Sequence, residues 1–191
     1  MTLVHKYKQA EDDRTNDDDM IKVTGGWCIG MVVHWIQHKK AGTDFWKKAM
    51  TPEGEQAFRM LMALQLIWNK QGGWAQKHEF DIYDKLLAGK KIKRVNYSDS
   101  RPKQVISSDE VWRVITGTSG TYGIVALGFL RGGHALGVAK NNDDSFSVLD
   151  PSHGEFNFKD AADFRNGIKT EIFDKRNQNN PVARLIISKY Q

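Results

Sequence analysis

Hydrophobic positions change rhythm part-way along the chain. From residue 29 to residue 88 they recur largely at the three- and four-residue spacing of amphipathic helices; after Gly120 they give way to short runs rich in β-branched and aromatic residues. The first pattern predicts helices over Ile29 to Lys40, Asp44 to Met50, Pro52 to Asn69 and Glu79 to Ala88. Thr51 before Pro52 marks a helix start, because proline's fixed φ suits the first helical position and the N–H it lacks has no partner there anyway. Phe58, Leu61, Met62, Leu64, Gln65 and Trp68 largely follow helical spacing, so the Met and aromatic positions of that helix read as core rather than as a cofactor site. Gly89 closes the fourth helix, and Ser107-Ser108-Asp109-Glu110 caps a short fifth that runs to about Ile115.

The second pattern predicts strands at Tyr122 to Leu130, His134 to Ala139, Ser145 to Leu149 and Glu155 to Phe158. A helix from about Lys159 to Phe173 and a last strand over Val182 to Ser188 complete the chain. Helices first and antiparallel strands second make an α+β fold. Residues 1–20 differ from both halves. Their second part is acidic, with Glu11-Asp12-Asp13 and Asp17-Asp18-Asp19, and is expected to be a mobile lead-in to a single domain over residues 21–191.

Composition narrows the class without naming it. A mass of 21.8 kDa suits one well-cored domain. The net charge of +5 comes from 28 basic and 23 acidic residues, and no basic stripe with interleaved aromatics points to nucleic acid. The densest basic run, Lys90-Lys91-Ile92-Lys93-Arg94, reads as a solvated face, with an acidic partner as the alternative. No stretch approaches the roughly 20 apolar residues of a membrane span. The N-terminal residues lack the apolar core of a secretory signal, which leaves open export by machinery that reads a disordered N-terminus.

Candidate chemistry begins with Cys28, the only cysteine in 191 residues. No intrachain disulfide is possible. A free cysteine is commonly a small core residue. This one follows Gly25-Gly26-Trp27 and opens a predicted helix, where unpaired N–H groups and the positive end of the helix dipole favour a thiolate. A reactive thiol needs a base, and the six histidines separate by position. His34 and His38 lie four apart on the helix that Cys28 opens, but no glutamate stands between them and no third metal ligand is evident. His134 follows Gly132-Gly133 and opens a strand, where small neighbours let a substrate approach.

A third group comes from the turn Asn141-Asn142-Asp143-Asp144, which should join the flanking strands as a hairpin. With the turn centred on Asn142, or between Asn142 and Asp143, His134 falls opposite Asp150 or one place from it. Opposed residues have Cβ atoms about 4.5–5.5 Å apart, within reach of an imidazole–carboxylate hydrogen bond. Asp150-Pro151 is otherwise an ordinary turn initiator. Cys28, His134 and Asp150 together make an ordered Cys–His–Asp set of the kind used in activated-thiol catalysis.

These residues resemble the YopT/AvrPphB cysteine peptidases, bacterial effectors of the papain-like clan. The resemblance rests on Gly26-Trp27-Cys28-Ile29-Gly30 with Trp35 downstream, on Gly133-His134-Ala135-Leu136, and on Asp150-Pro151-Ser152-His153-Gly154-Glu155-Phe156. It covers the chain from about residue 20 onward. It implies a papain-like fold with Cys28 on a central helix packed against the sheet that carries His134 and Asp150. It further implies cleavage of a specific host protein inside the target cell after secretion, with no cofactor and no metal. The same triad also serves amidases, deamidases and acyltransferases, and a catalytically decayed binding module is a further alternative. One departure stands out. Papain-like enzymes usually place an Asn or Gln a few residues before the nucleophile to bind the oxyanion, and here that stretch is Lys22-Val23-Thr24-Gly25-Gly26. The Cys28 N–H can serve as one donor; the second is unassigned.

Overall fold

Seven antiparallel strands form one sheet in the order β1-β6-β5-β4-β3-β7-β2, and helices cover both of its faces. The computed structural model describes residues 1–8, 11, 28–70, 81–100, 108–129, 133–174 and 182–191. The strands are β1 (Thr2–Lys6), β2 (Arg94–Ser100), β3 (Thr121–Gly128), β4 (Gly133–Lys140), β5 (Phe146–Asp150), β6 (Gly154–Phe158) and β7 (Arg184–Tyr190). The helices are α1 (Cys28–Ala41), α2 (Phe45–Ala49), α3 (Pro52–Lys70), α4 (Asp81–Ala88), α5 (Ser108–Ile115) and α6 (Ala161–Gly167), the last continued by a π-helical stretch, Ile168–Asp174. The fold is the expected α+β, papain-like one.

Side chains alternate between the faces of a strand, and the central strands use both faces for core. On one face Tyr122, Ile124, Ala126, Ala135, Ala139 and Ile186 pack with Ile29, Val32, Trp35 and Ile36 of α1 and with Phe58 and Leu61 of α3. On the other, Val125, Leu127, Leu136, Val138, Val148 and Ile187 pack with Val111 and Ile115 of α5 and Phe164 of α6. Polar side chains start the helices. Asp44 accepts a hydrogen bond from the Lys47 N–H at α2, Thr51 from the Gly54 N–H at α3, and Asp160 from the Asp163 N–H at α6.

Helix α1 approaches the sheet closely where it crosses β4 at Gly137. A Cβ there would stand 2.8 Å from Trp35 Cε3 and 2.9 Å from Cζ3, so only glycine lets the indole reach the strand. The far end of α1 is tied down separately. Lys39 Nζ lies 2.7 Å from Glu155 Oε1 on β6 and donates to Ser147 Oγ on β5 at 3.2 Å. Trp46 Nε1 on α2 donates to the other oxygen of Glu155 at 2.7 Å.

Two strands depart from the sequence reading. Residues Thr2–Lys6, assigned to a mobile lead-in, form the edge strand β1 on β6, with Thr2 opposite Asn157 and Lys6 opposite Gly154. Backbone hydrogen bonds to β6 order them, which a short strand exposed on both faces does not reveal. The acidic residues Asp12 to Asp19 lie outside the described residues. The second addition, β2, follows the basic run. Val95 and Tyr97 are exposed on it, so no apolar face marks it as a strand. It is held by backbone pairing with β7 and by Arg184, whose Nε and Nη2 each donate to the Asp99 carboxylate at 2.9 Å. Within the basic run itself, Ile92 is fully buried and Arg94 pairs with Asp84 at 3.1 Å, so only its lysines are the expected solvated face.

Gly137→Ala should lower unfolding stability by about 1–3 kcal/mol, because the methyl meets a fully buried indole that has no room to retreat. Urea denaturation measures it; a change under about 0.5 kcal/mol would show that α1 can shift on the sheet at little cost.

Candidate active site

The helix start, one strand start and one strand end come together at one end of the central strands. Cys28 is the first residue of α1, and the glycines and Trp27 before it lie outside the described residues. His134 is the second residue of β4, and Asp150 is the last of β5. All three side chains are buried: relative exposure is 9% at Cys28, 8% at His134 and 2% at Asp150.

His134 Nε2 lies 2.7 Å from Asp150 Oδ1. The predicted pairing is corrected in register although the contact is made. β4 and β5 pair as Gly137↔Leu149 and Val138↔Val148, which centres the turn on Asp143 and, extended one step, sets Asp150 opposite Leu136. Asp150 is therefore two places from the residue facing His134. A two-residue offset keeps both side chains on one face, and the diagonal distance is within reach of an imidazole and a carboxylate. The turn is one residue longer than expected on one side because Asp144 takes a positive φ of 62° and Asp143 accepts from the Ser145 N–H at 3.1 Å.

Three donors converge on Asp150. Oδ1 takes the His134 contact and a hydrogen bond from the Ser152 N–H at 2.8 Å, and Oδ2 lies 2.9 Å from His153 Nδ1. Burial alone would push the His134 ring toward its neutral form. The Asp150 charge and hydrogen bond outweigh it, and the Cys28 side chain adds a hydrogen bond and an electrostatic contribution of the same sign. Together they push the His134 pKa up to about 9. A carboxylate holding one ring nitrogen while a thiol approaches the ring is the arrangement in which imidazole can exchange a proton with sulfur.

The Cys28 N–H belongs to the first turn of α1, where backbone donors lack helical acceptors and can bind an oxyanion. Lys22 to Gly26, the stretch expected to hold a second donor, lies outside the described residues.

The other histidine pair is packed among aromatics. The His34 and His38 rings meet edge to face at 4.7 Å, and both lie near Phe45. Burial, reinforced by His38, lowers the His34 pKa to about 4. His38 Nδ1 is 2.7 Å from Thr43 Oγ1. Among the described residues no group of three or more His, Cys, Asp or Glu is placed to hold a metal ion.

Comparison with known proteins shows the family and the fold. The model of the peptidase C58 family, described as Yersinia/Haemophilus virulence surface antigen, matches residues 1–191. The chain belongs to the C58 peptidase family. Its fold is also that of a solved structure, the Pseudomonas avirulence protein AvrPphB, with a TM-score of 0.66 at 14% identity. The match covers 93% of this chain and 94% of AvrPphB. No curated protein matches the sequence. Family membership makes the chain a cysteine peptidase of virulence-effector type, with protein as its substrate class. Among the described residues no helix is long and apolar enough to cross a membrane.

Two residues of this C58 chain escaped the sequence reading although both stand in the motif from Asp150 to Phe156. Glu155 proves to be the buried anchor of α1 and α2, and His153 a second imidazole on Asp150. The signal for His153 was its spacing: three residues past an Asp that starts a turn, a donor folds back onto the carboxylate.

The raised His134 pKa has a consequence for stability. Its imidazolium is favoured in the fold, so the stabilisation is complete below the free-histidine value of 6.5 and is lost as pH rises through about 9. Unfolding free energy should therefore fall by about 3 kcal/mol between about pH 6 and pH 10. Urea titrations of the wild type and of His134→Gln across that range check it; the variant's profile should lack this component, and parallel profiles would contradict the assignment.

Proposed function

We propose that this chain is a cysteine protease of bacterial effector type that cleaves a host protein through a Cys28–His134–Asp150 triad. One observation carries the reading: the buried His134 ring lies 2.7 Å from Asp150, and the side chain of the cysteine that opens α1 is near enough to help raise the pKa of that ring. An ionised carboxylate can only accept, so His134 carries a proton on Nε2 and offers Nδ1 to the sulfur. In the proposed cycle Nδ1 holds the proton given up by the thiol, so the His134 imidazolium faces a Cys28 thiolate, and that sulfur attacks the carbonyl carbon of the scissile peptide. The carbonyl electron pair moves onto oxygen, where the Cys28 N–H stabilises it. The His134 imidazolium then gives its proton to the departing amine as the C–N bond breaks, leaving a thioester acyl-enzyme. A water that loses its proton to His134 releases the acid product and restores the imidazolium–thiolate pair. Asp150 holds the ring in this tautomer and stabilises the imidazolium without becoming protonated. His134 carries every proton, and the cycle calls for no cofactor.

Membership of a virulence family supports a secreted, toxin-like chain that acts in the target-cell cytosol. The catalytic unit is the domain expected over residues 21–191, joined by the N-terminal strand β1.

The test compares wild type with Cys28→Ala and His134→Ala by sequencing new protein N-termini after incubation with target-cell lysate. Wild type should create new N-termini that both variants fail to create, with activity lost by at least about 10³-fold. Ammonia release from protein glutamine without new N-termini would replace the protease reading with a deamidase; cleavage of peptidoglycan alone would make it an amidase. Labelling of Cys28 by iodoacetamide at a rate indifferent to His134→Ala would remove the pair altogether.

A further inference from the structure

His153, the second imidazole on the carboxylate, has no part in the cycle above. His153 Nδ1 lies 2.9 Å from Asp150 Oδ2, opposite the oxygen that meets His134. Its side chain is 58% exposed, so the Asp150 carboxylate, itself 3% exposed, sits between a buried imidazole and one at the surface.

We propose that His153 is a positioning residue that locks the Asp150 carboxylate so that Oδ1 faces His134. The proposal rests on the triad reading of this site. A carboxylate on one rotatable bond needs a restraint on each oxygen to hold its plane. Oδ1 is shared by His134 and the Ser152 N–H, and His153 restrains Oδ2. Because the carboxylate only accepts, neutral His153 must carry its proton on Nδ1. Its ring is aimed by its own backbone. The His153 N–H donates to the Asp150 carbonyl at 3.0 Å, closing the turn, and the His153 carbonyl accepts from the Tyr7 N–H at 3.4 Å.

Strand β1 therefore reaches the catalytic acid through this turn. Gly154, next in the chain, has a φ of +118°, and a Cβ on it would collide with the His5 carbonyl oxygen, so the turn and β1 are in direct backbone contact. Lys6 pairs with Gly154. The titratable groups that face the His134–Asp150 pair from neighbouring elements include Cys28 of α1 and His153 of the turn.

The experiment measures the rate of Cys28 alkylation by iodoacetamide against pH in wild type, His134→Ala, His153→Ala and His153→Asn, with thermal melts to verify folding. Asparagine keeps an N–H donor near the place of the imidazole Nδ1. In wild type the rate at low pH should depend on His134. His153→Ala should reduce it by about three- to tenfold near pH 6 and move the lower limb of the profile upward, the size of one lost hydrogen bond. His153→Asn should restore most of it.

A wild-type profile unaffected by His134→Ala sinks the triad reading itself. A His134-dependent wild-type profile that His153→Ala leaves in place overturns the role of His153 alone, and so does an Asn variant no better than Ala. If the Ala variant does not fold, the wild-type protein decides: long-range ¹H–¹⁵N spectra must show neutral His153 protonated on Nδ1, and an Nε2–H tautomer refutes the proposal.

Discussion

The packing of Trp35 of α1 against Gly137 of β4 is the contact on which the site's geometry depends. Trp35 stands seven residues after Cys28, and Gly137 three residues after His134. Seven residues of helix and three of strand each span about 10 Å, so fixing the indole on the glycine also fixes the thiol level with the imidazole. The second tether, from Lys39 to Glu155 and Ser147 at the far end of α1, keeps the helix from pivoting about that point. A thiol and an imidazole that must meet within hydrogen-bond reach are thus held by apolar close packing on one side and a buried carboxylate on the other.

Charge at the site is organised around Asp150. A buried carboxylate is costly unless its oxygens are satisfied. Here both are used, by His134, the Ser152 N–H and His153. Its field reverses the effect of burial on His134, which would otherwise favour the neutral ring, and leaves that histidine charged across the neutral range. Contrast His34, where burial meets another histidine rather than a carboxylate and the ring is pushed the other way. Burial lowers the pKa of both histidines, and only His134 has a carboxylate beside it to reverse the effect.

The edges of the sheet behave differently from its centre. Strands β3, β4, β5 and β7 carry buried apolar residues on both faces and were legible as short β-branched runs. Edge strand β1 has Leu3 and Val4 exposed, and β2 has Val95 and Tyr97 exposed. Their order comes from backbone pairing and, for β2, from the Asp99–Arg184 ion pair, neither of which leaves a pattern in the sequence. The same blindness to backbone contacts hid the link from β1 through His153 to Asp150.

What the sequence determined by itself was local. Helical spacing, the Thr51-Pro52 start, the alternation of the central strands and the turn at Asn141 to Asp144 follow from side-chain periodicity and backbone preference, which act over a few residues. The lone cysteine at a helix start and the histidine and aspartate on one hairpin marked the candidate chemistry for the same reason. Register and partnership were decided only by the tertiary structure. Whether Asp150 faces His134 directly or from two places away depends on two residues of turn length, and both arrangements satisfy the same alternation of faces. That Cys28 and His134 come together depends on α1 docking on the sheet, a contact between residues more than 100 positions apart that no local pattern encodes.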